Sequence, residues 1–322
     1  MTFVKNENYW AKDMIDSEQF YAQGPDKIVF QFIGDASQVA IAMENGEIDF
    51  CNYLNDADRE RMVNEEGFTQ YEVPNPYINY LKVNCSENSV CQDVNVRLAI
   101  NYAIDAEALL AKANDGSGEV PHGFGYSDMY DYQQSWNDQD YFGHDVEKAK
   151  EYLAKSGYGP ENPVNVKLVV STMRSDWVDI APIVQAECAE AGINVTIDQM
   201  DNATYSSVVN AADGDWDIAF SLMTCDSVIG MMHFILDQRM LGGTTGYFLV
   251  DDKLQELVET AQNDATFSDE TVDAVQQYLN ELGIGYALYR INDYYVTSDK
   301  IADIDGALDA LATFQAGAFT LK

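Results

Sequence analysis

The stretch Asn84–Asp105, NCSENSVCQDVNVRLAINYAID, decides how the rest of the chain is read. Within it Val96, Ala99, Ile100, Ala103 and Ile104 recur at intervals of three and four, the spacing that lines apolar side chains along one helical face. Asp93 stands just ahead as an N-cap whose carboxylate can accept from the first unpaired amides. By itself this pattern specifies a helix packed on a core. The flanks carry more.

Upstream, Asn6, Tyr9 and Trp10 form an N-x-x-Y-W opening, followed by the strand DKIVFQFIGD from Asp26 to Asp35. Asp35 with Gln38 makes a capping box for the next helix, and Gly46, inside NGEID, suits its left-handed end. Downstream, HDVEKAKEYLAKSGYG from His144 reads as a helix with a Gly-Tyr stop. After it come a strand at Val166–Ser171, a helix at Val178–Ala191, the returning strand GINVTIDQ from Gly192, and a C-terminal DYYVTSDKIADI from Asp293. Between the central helix and His144, the segment from Asn114 to Ser135 is rich in Gly, Ser and Tyr and predicts a long irregular loop, a kind of segment that is often functional.

Length allows about two domains. The formal charge of −36, from 54 acidic against 18 basic residues, opposes binding to nucleic acid or to an anionic membrane surface and suits solubility. No stretch of about 18 apolar residues is present to span a membrane, and no basic, then apolar leader follows Met1. Five cysteines are few for a disulfide scaffold; Cys85 and Cys91 share one loop and could bridge or stay free. With no C-x-x-C pair, and with His122, His144 and His233 scattered, a structural metal is not expected.

The motif V-R-x-A-I-x-x-A-I-D at Val96–Asp105, the asparagine and loop before it, and the ordered blocks on either side resemble the family 5 solute-binding proteins of ABC importers. That resemblance covers nearly the whole chain. It implies an α/β, two-lobed periplasmic-binding-protein-like fold (type II, cluster C) with lobe one incomplete, since the chain starts inside what the family places in a sheet. Lobe one is expected over residues 1–84 plus 285–322, and lobe two over 85–284. The implied role is the substrate-binding component of an importer, capturing a peptide or another small amine-bearing solute by hinge closure. Permease subunits are the implied partners, a monomer the implied state, and a lipid-anchored lipoprotein on the outer face of the cytoplasmic membrane, or the periplasm, the implied place. No cofactor is expected. A sensor or surface-binding paralogue, or a binder of oligosaccharide or a nickel chelate, is the alternative.

The resemblance also points to a site. In the family a strand beginning with Asp leads nine residues later to a second Asp at the cleft, and Asp217 and Asp226 stand at that interval in WDIAFSLMTCDS. In the peptide binders of the family, the second Asp accepts the ligand ammonium group. A carboxylate at a strand end in a closed cleft suits a cation. Asp226 is therefore the first candidate, with Thr224, Cys225 and Met223 beside it, and Phe124, Tyr126 and Tyr130 of the long loop as cleft-lining candidates. Met223 replaces the family's usual tryptophan, and Ser227-Val228 its usual aromatic and proline. Where some peptide binders carry arginines for the ligand carboxylate, this chain has Ala211 and Phe220, leaving that task to Arg174 or to the missing part of lobe one. Arg97, on the central helix, is expected to cap or to bridge lobes.

An enzyme is the rival class. The chain has no G-x-S-x-G, H-E-x-x-H, G-x-x-x-x-G-K-[ST] or G-x-G-x-x-G, and three histidines leave few general bases, so no catalytic residue is assigned.

Overall fold

The computed structural model describes residues 1–14, 21–52, 54–139, 141–237, 247–264, 268–304 and 316–322. They form two compact units, Met1–Asn75 with Asn292–Lys322, and Pro76–Ile291.

In the first unit, β1 (Thr2–Val4) pairs antiparallel with β2 (Lys27–Val29). The strand expected over Asp26–Asp35 thus pairs for three residues only, and Phe32 beyond it is fully exposed. Helix α1 (Ala36–Glu44) starts where Asp35 Oδ1 accepts the Gln38 amide at 3.0 Å. It buries Val39, Ala40 and Met43 against Cys51 of β3 (Phe50–Cys51), Met62 of α2 (Asp56–Val63) and Val296. Strand β4 (Phe68–Pro74) completes the N-terminal share.

The second unit opens with β5 (Ile78–Val83), α3 (Val94–Ala103), α4 (Ala106–Asn114), β6 (Gly118–Glu119) and α5 (Val146–Lys155). It continues as β7 (Val164–Ser171), α6 (Ser175–Ala191), β8 (Ile193–Met200), α7 (Asn202–Val209), β9 (Ile218–Met223), α8 (Val228–Leu236), α9 (Asp252–Asn263), α10 (Asp269–Leu282) and the first six residues of β10 (Tyr286–Ser298), up to Ile291. Strands β7 and β8 run parallel in register from Val164↔Ile193 to Ser171↔Met200, and β9 runs parallel to β7 at Leu168↔Ile218. On its other side β9 pairs antiparallel with β5, whose six residues are all buried. A strand buried on both faces reads as a nearly continuous apolar run, as Val166 to Val170 and Ile218 to Phe220 do.

Helix α3 buries Val96, Ala99, Ile100 and Ala103 completely, and Asp93 caps it by accepting the Asn95 amide at 2.8 Å. Arg97, only 2% exposed, donates to the carbonyls of Cys91, Gln92 and Leu282 at 2.8, 3.0 and 2.7 Å. It satisfies orphan carbonyls within one unit, so it caps and does not bridge lobes. Cys85 and Cys91 are buried free thiols; burial pushes the Cys85 thiol up to about 11.

The chain passes between units after Asn75 and returns after Ile291. Boundaries expected at 84 and 285 shift because pairing assigns the strands: Ile78–Val83 ladders along its length with β9, and Tyr286–Ile291 with β5 and β6. Residues 292–298 of β10 pair instead with β4, from Asn292↔Pro74 to Ser298↔Phe68. Strand β11 (Ile301–Asp303) then pairs with β12 (Thr320–Leu321). Of the C-terminal segment expected to return to lobe one, residues 305–315 lie outside the described residues. Among the described residues no helix is long and apolar enough to cross a membrane.

Candidate ligand-binding site

Parallel strands place all their carboxyl ends on one edge of a sheet, and ligands of open α/β sheets bind beyond that edge. In the second unit this edge gathers Arg174 just after β7, Asp201 after β8 and the Thr224-Cys225-Asp226 turn after β9. Met223, the last residue of β9, is buried opposite Ile78. The turn leads directly into α8, where Ser227 Oγ accepts the Gly230 amide at 3.1 Å. A Cβ at Gly230 would meet Cys225 Sγ and Ser227 Oγ at 2.6 Å, so glycine is what lets the turn fold back on its helix. Asp226 itself is exposed; the Cys225 thiol donates to its Oδ1 at 3.4 Å, and it forms no ion pair among the described residues.

The long loop supplies the next wall. Tyr126 is buried and its hydroxyl donates to the Cys225 carbonyl at 3.0 Å, fixing the turn. Burial raises the pKa of that phenol, against the opposing pull of Arg290. The Arg290 guanidinium lies 3.9 Å from the Tyr126 ring centre and pairs with Asp128 at 2.7 Å and Glu119 at 3.8 Å. Tyr130 is 62% exposed near the same turn, its hydroxyl against the Ser227 side chain.

Asp131, one residue on, is only 4% exposed, and its two oxygens accept the amides of Val228 and Ile229 at 2.6 and 3.0 Å. A helix N-terminus presents unpaired amides and a partial positive charge, a ready place for an anion. Here Asp131 already fills it. The surface around Asp226 therefore offers negative charge and carbonyl or hydroxyl oxygens rather than an anion pocket.

Other candidates lie elsewhere. Phe124 does not line a cleft: it is wholly buried, its ring edge-on to Tyr80 at 5.5 Å. Asp217 is a strut, its carboxylate accepting from Ser89 Oγ and the Val90 and Lys167 amides at 2.6, 3.2 and 2.7 Å. Phe220 is core, and Ala211 gives its carbonyl to Trp216 Nε1 at 3.2 Å. Arg174 is engaged by Asp176 through Nε and Nη2 at 2.9 and 2.6 Å. Sequence reasoning missed Asp131 and Arg290. No local signal marks either, because Asp131 is 97 residues from the amide it binds and Arg290 is 162 from Asp128.

Against known proteins, residues 1–231 match the model of the bacterial extracellular solute-binding proteins, family 5, middle part. Heme-binding protein A of Haemophilus influenzae is 26% identical over 194 residues, 59% of this chain and 33% of that protein. The dipeptide-binding protein of Escherichia coli is 28% identical over 182 residues, 51% of this chain and 33% of that one. The chain thus spans about a third of the length of these curated relatives. In fold it is similar to HbpA2 from Haemophilus parasuis, with a TM-score of 0.80 at 17% identity, covering 100% of this chain and 61% of that one. The central helix and its flanks, the parallel strands with a turn at their carboxyl edge, and a family match over 231 of 322 residues agree, and the chain belongs to the family 5 bacterial extracellular solute-binding proteins.

Proposed function

We propose that this chain is part of the substrate-binding component of an ABC importer, working outside the cytoplasmic membrane, and that it captures a peptide or another small amine-bearing solute. The observation that carries the ligand class is Asp226: an exposed carboxylate at the carboxyl edge of the sheet, with no cationic partner among the described residues, beside a helix N-terminus already filled by Asp131. An ammonium group is the complement of that surface. The name of the dipeptide-binding relative supports the same class.

Where the ligand also carries a carboxylate, Arg174 is the group to meet it. Strands β7 and β9 run parallel at Leu168↔Ile218, and Arg174 comes three residues after β7 while Thr224 directly follows β9, so both leave the same edge of the sheet. The ligand carboxylate would compete with Asp176 for this guanidinium. Hinge closure of the two lobes over the solute, delivery to permease subunits and action as a monomer complete the proposal.

The test is calorimetric titration of peptides differing only at the N-terminus, free amine against N-acetyl. Free-amine peptides binding at least about tenfold tighter is the expected result, since a hydrogen bond to a charged group is worth about 1.5 to 3 kcal/mol. Equal affinity would reject the ammonium reading.

A further inference from the structure

A second recess, of about 250 Å³, opens in the same unit away from the Asp226 turn, lined by Asp105, Glu107, His122, Tyr141, His144 and Tyr286 among others. None of its lining residues belongs to the 223–227 turn or is Tyr126 or Tyr130. Its volume falls below the roughly 300 to 1,000 Å³ of drug-sized sites, so a ligand would be small.

Acceptors and aromatic faces make up much of the wall, beside the Gln139 amide. His122 Nδ1 lies 3.3 Å from the Gln139 carbonyl, and His144 Nδ1 lies 2.6 Å from that of Ala103. A carbonyl can only accept, so each neutral ring carries its proton on Nδ1 and keeps a lone pair on Nε2. The phenols have no donor to spare. Tyr141 donates to the Gly285 carbonyl at 2.8 Å while accepting the Ala287 amide at 3.0 Å, and Tyr286 donates to the Ile104 carbonyl at 3.4 Å. Asp105 Oδ1 caps α4 by accepting the Glu107 and Ala108 amides at 3.1 and 3.2 Å; among the described residues neither Asp105 nor Glu107 forms an ion pair, and no lysine or arginine lines the recess. The His122 ring stacks on Tyr141 with 23° between planes, leaving a flat aromatic wall.

We propose that this recess binds a small organic cation, with a planar guanidinium group favoured by the two carboxylates, the imidazole lone pairs and the stacked His122–Tyr141 wall. Behind the wall, Glu187 accepts the Asp105 amide at 3.0 Å. Its carboxyl is pushed up to about 7 by burial first, with the charges of Asp105 and Glu190 adding to it and the Asp105 amide and His144 opposing. A cation in the recess would relieve that crowding of negative charge.

The experiment titrates methylguanidinium chloride into the 322-residue protein at constant ionic strength held with sodium chloride, followed by calorimetry and thermal unfolding. Saturable one-to-one binding is expected, weakened at least about tenfold by Glu107→Gln, an exposed position, and by His122→Gln. The same titration is run on Asp226→Asn; loss of binding there would reassign the cation to the 223–227 turn and overturn the proposal. So would stabilisation matched by sodium chloride alone, or an affinity that neither recess variant changes.

Discussion

Asp131 accepts the backbone amide of Val228 at 2.6 Å, tying the tyrosine loop to the first turn of the helix that follows Asp226. A buried carboxylate is tolerated only where donors meet it, and a helix N-terminus supplies both donors and a favourable dipole. The same contact removes a place where an anionic ligand group could dock, which makes one residue responsible for order and for charge.

Asp131→Ala is expected to destabilise the protein by about 2 kcal/mol, the upper range for loss of a helix cap, with Asp131→Asn intermediate. Urea unfolding measures it. A loss below about 0.5 kcal/mol would mean that water replaces the carboxylate at no cost.

Asp226→Asn should behave in the opposite way. The side chain is exposed and bonded only by the Cys225 thiol among the described residues, so unfolding should move little. Affinity for an amine-bearing ligand should fall by about 1.5 to 3 kcal/mol. A stability loss as large as that of Asp131→Ala would recast Asp226 as a structural turn residue.

Arg97→Lys tests geometry at constant charge. The guanidinium reaches three carbonyls on two sides, at Cys91 and Gln92 and at Leu282, and a single ammonium cannot span them. A cost of about 3 kcal/mol is expected from buried carbonyls left unpaired. A near-neutral result would show that the cavity admits water.

Glu187 predicts a pH effect whose sign follows from its environment. Its folded pKa is raised to about 7 from 4.5, so folding favours the protonated form. The associated stability is fully present below 4.5 and is lost as pH rises through 7. Glu187→Gln should therefore match wild type at pH about 4 and be the more stable protein at pH about 8. Urea midpoints at both values decide it, and an unchanged difference between the two proteins would show that Glu187 titrates normally.

Much of the second unit was legible in the sequence because its signals are local. The i, i+3, i+4 pattern of Val96, Ala99 and Ile100 needs only helix geometry to become a buried face, and Asp93 and Asp35 cap the amides two and three residues on. The turn at Asp226 was legible through the family resemblance, which sets it nine residues after Asp217, beyond the end of β9. Strand ends were less so: Asp26–Asp35 is rich in β-formers from Ile28 to Ile33, yet pairs only at Lys27–Val29, since pairing depends on what lies alongside. Tertiary structure alone decided the rest. It buried Phe124, which sequence placed on a cleft, engaged Arg174 with Asp176, and set Asp131 and Arg290 against the site across 97 and 162 residues. Helix periods and caps are written within a few residues of the groups they serve. Which carboxylate fills a distant helix N-terminus depends on how the whole chain closes, and no short window of sequence contains it.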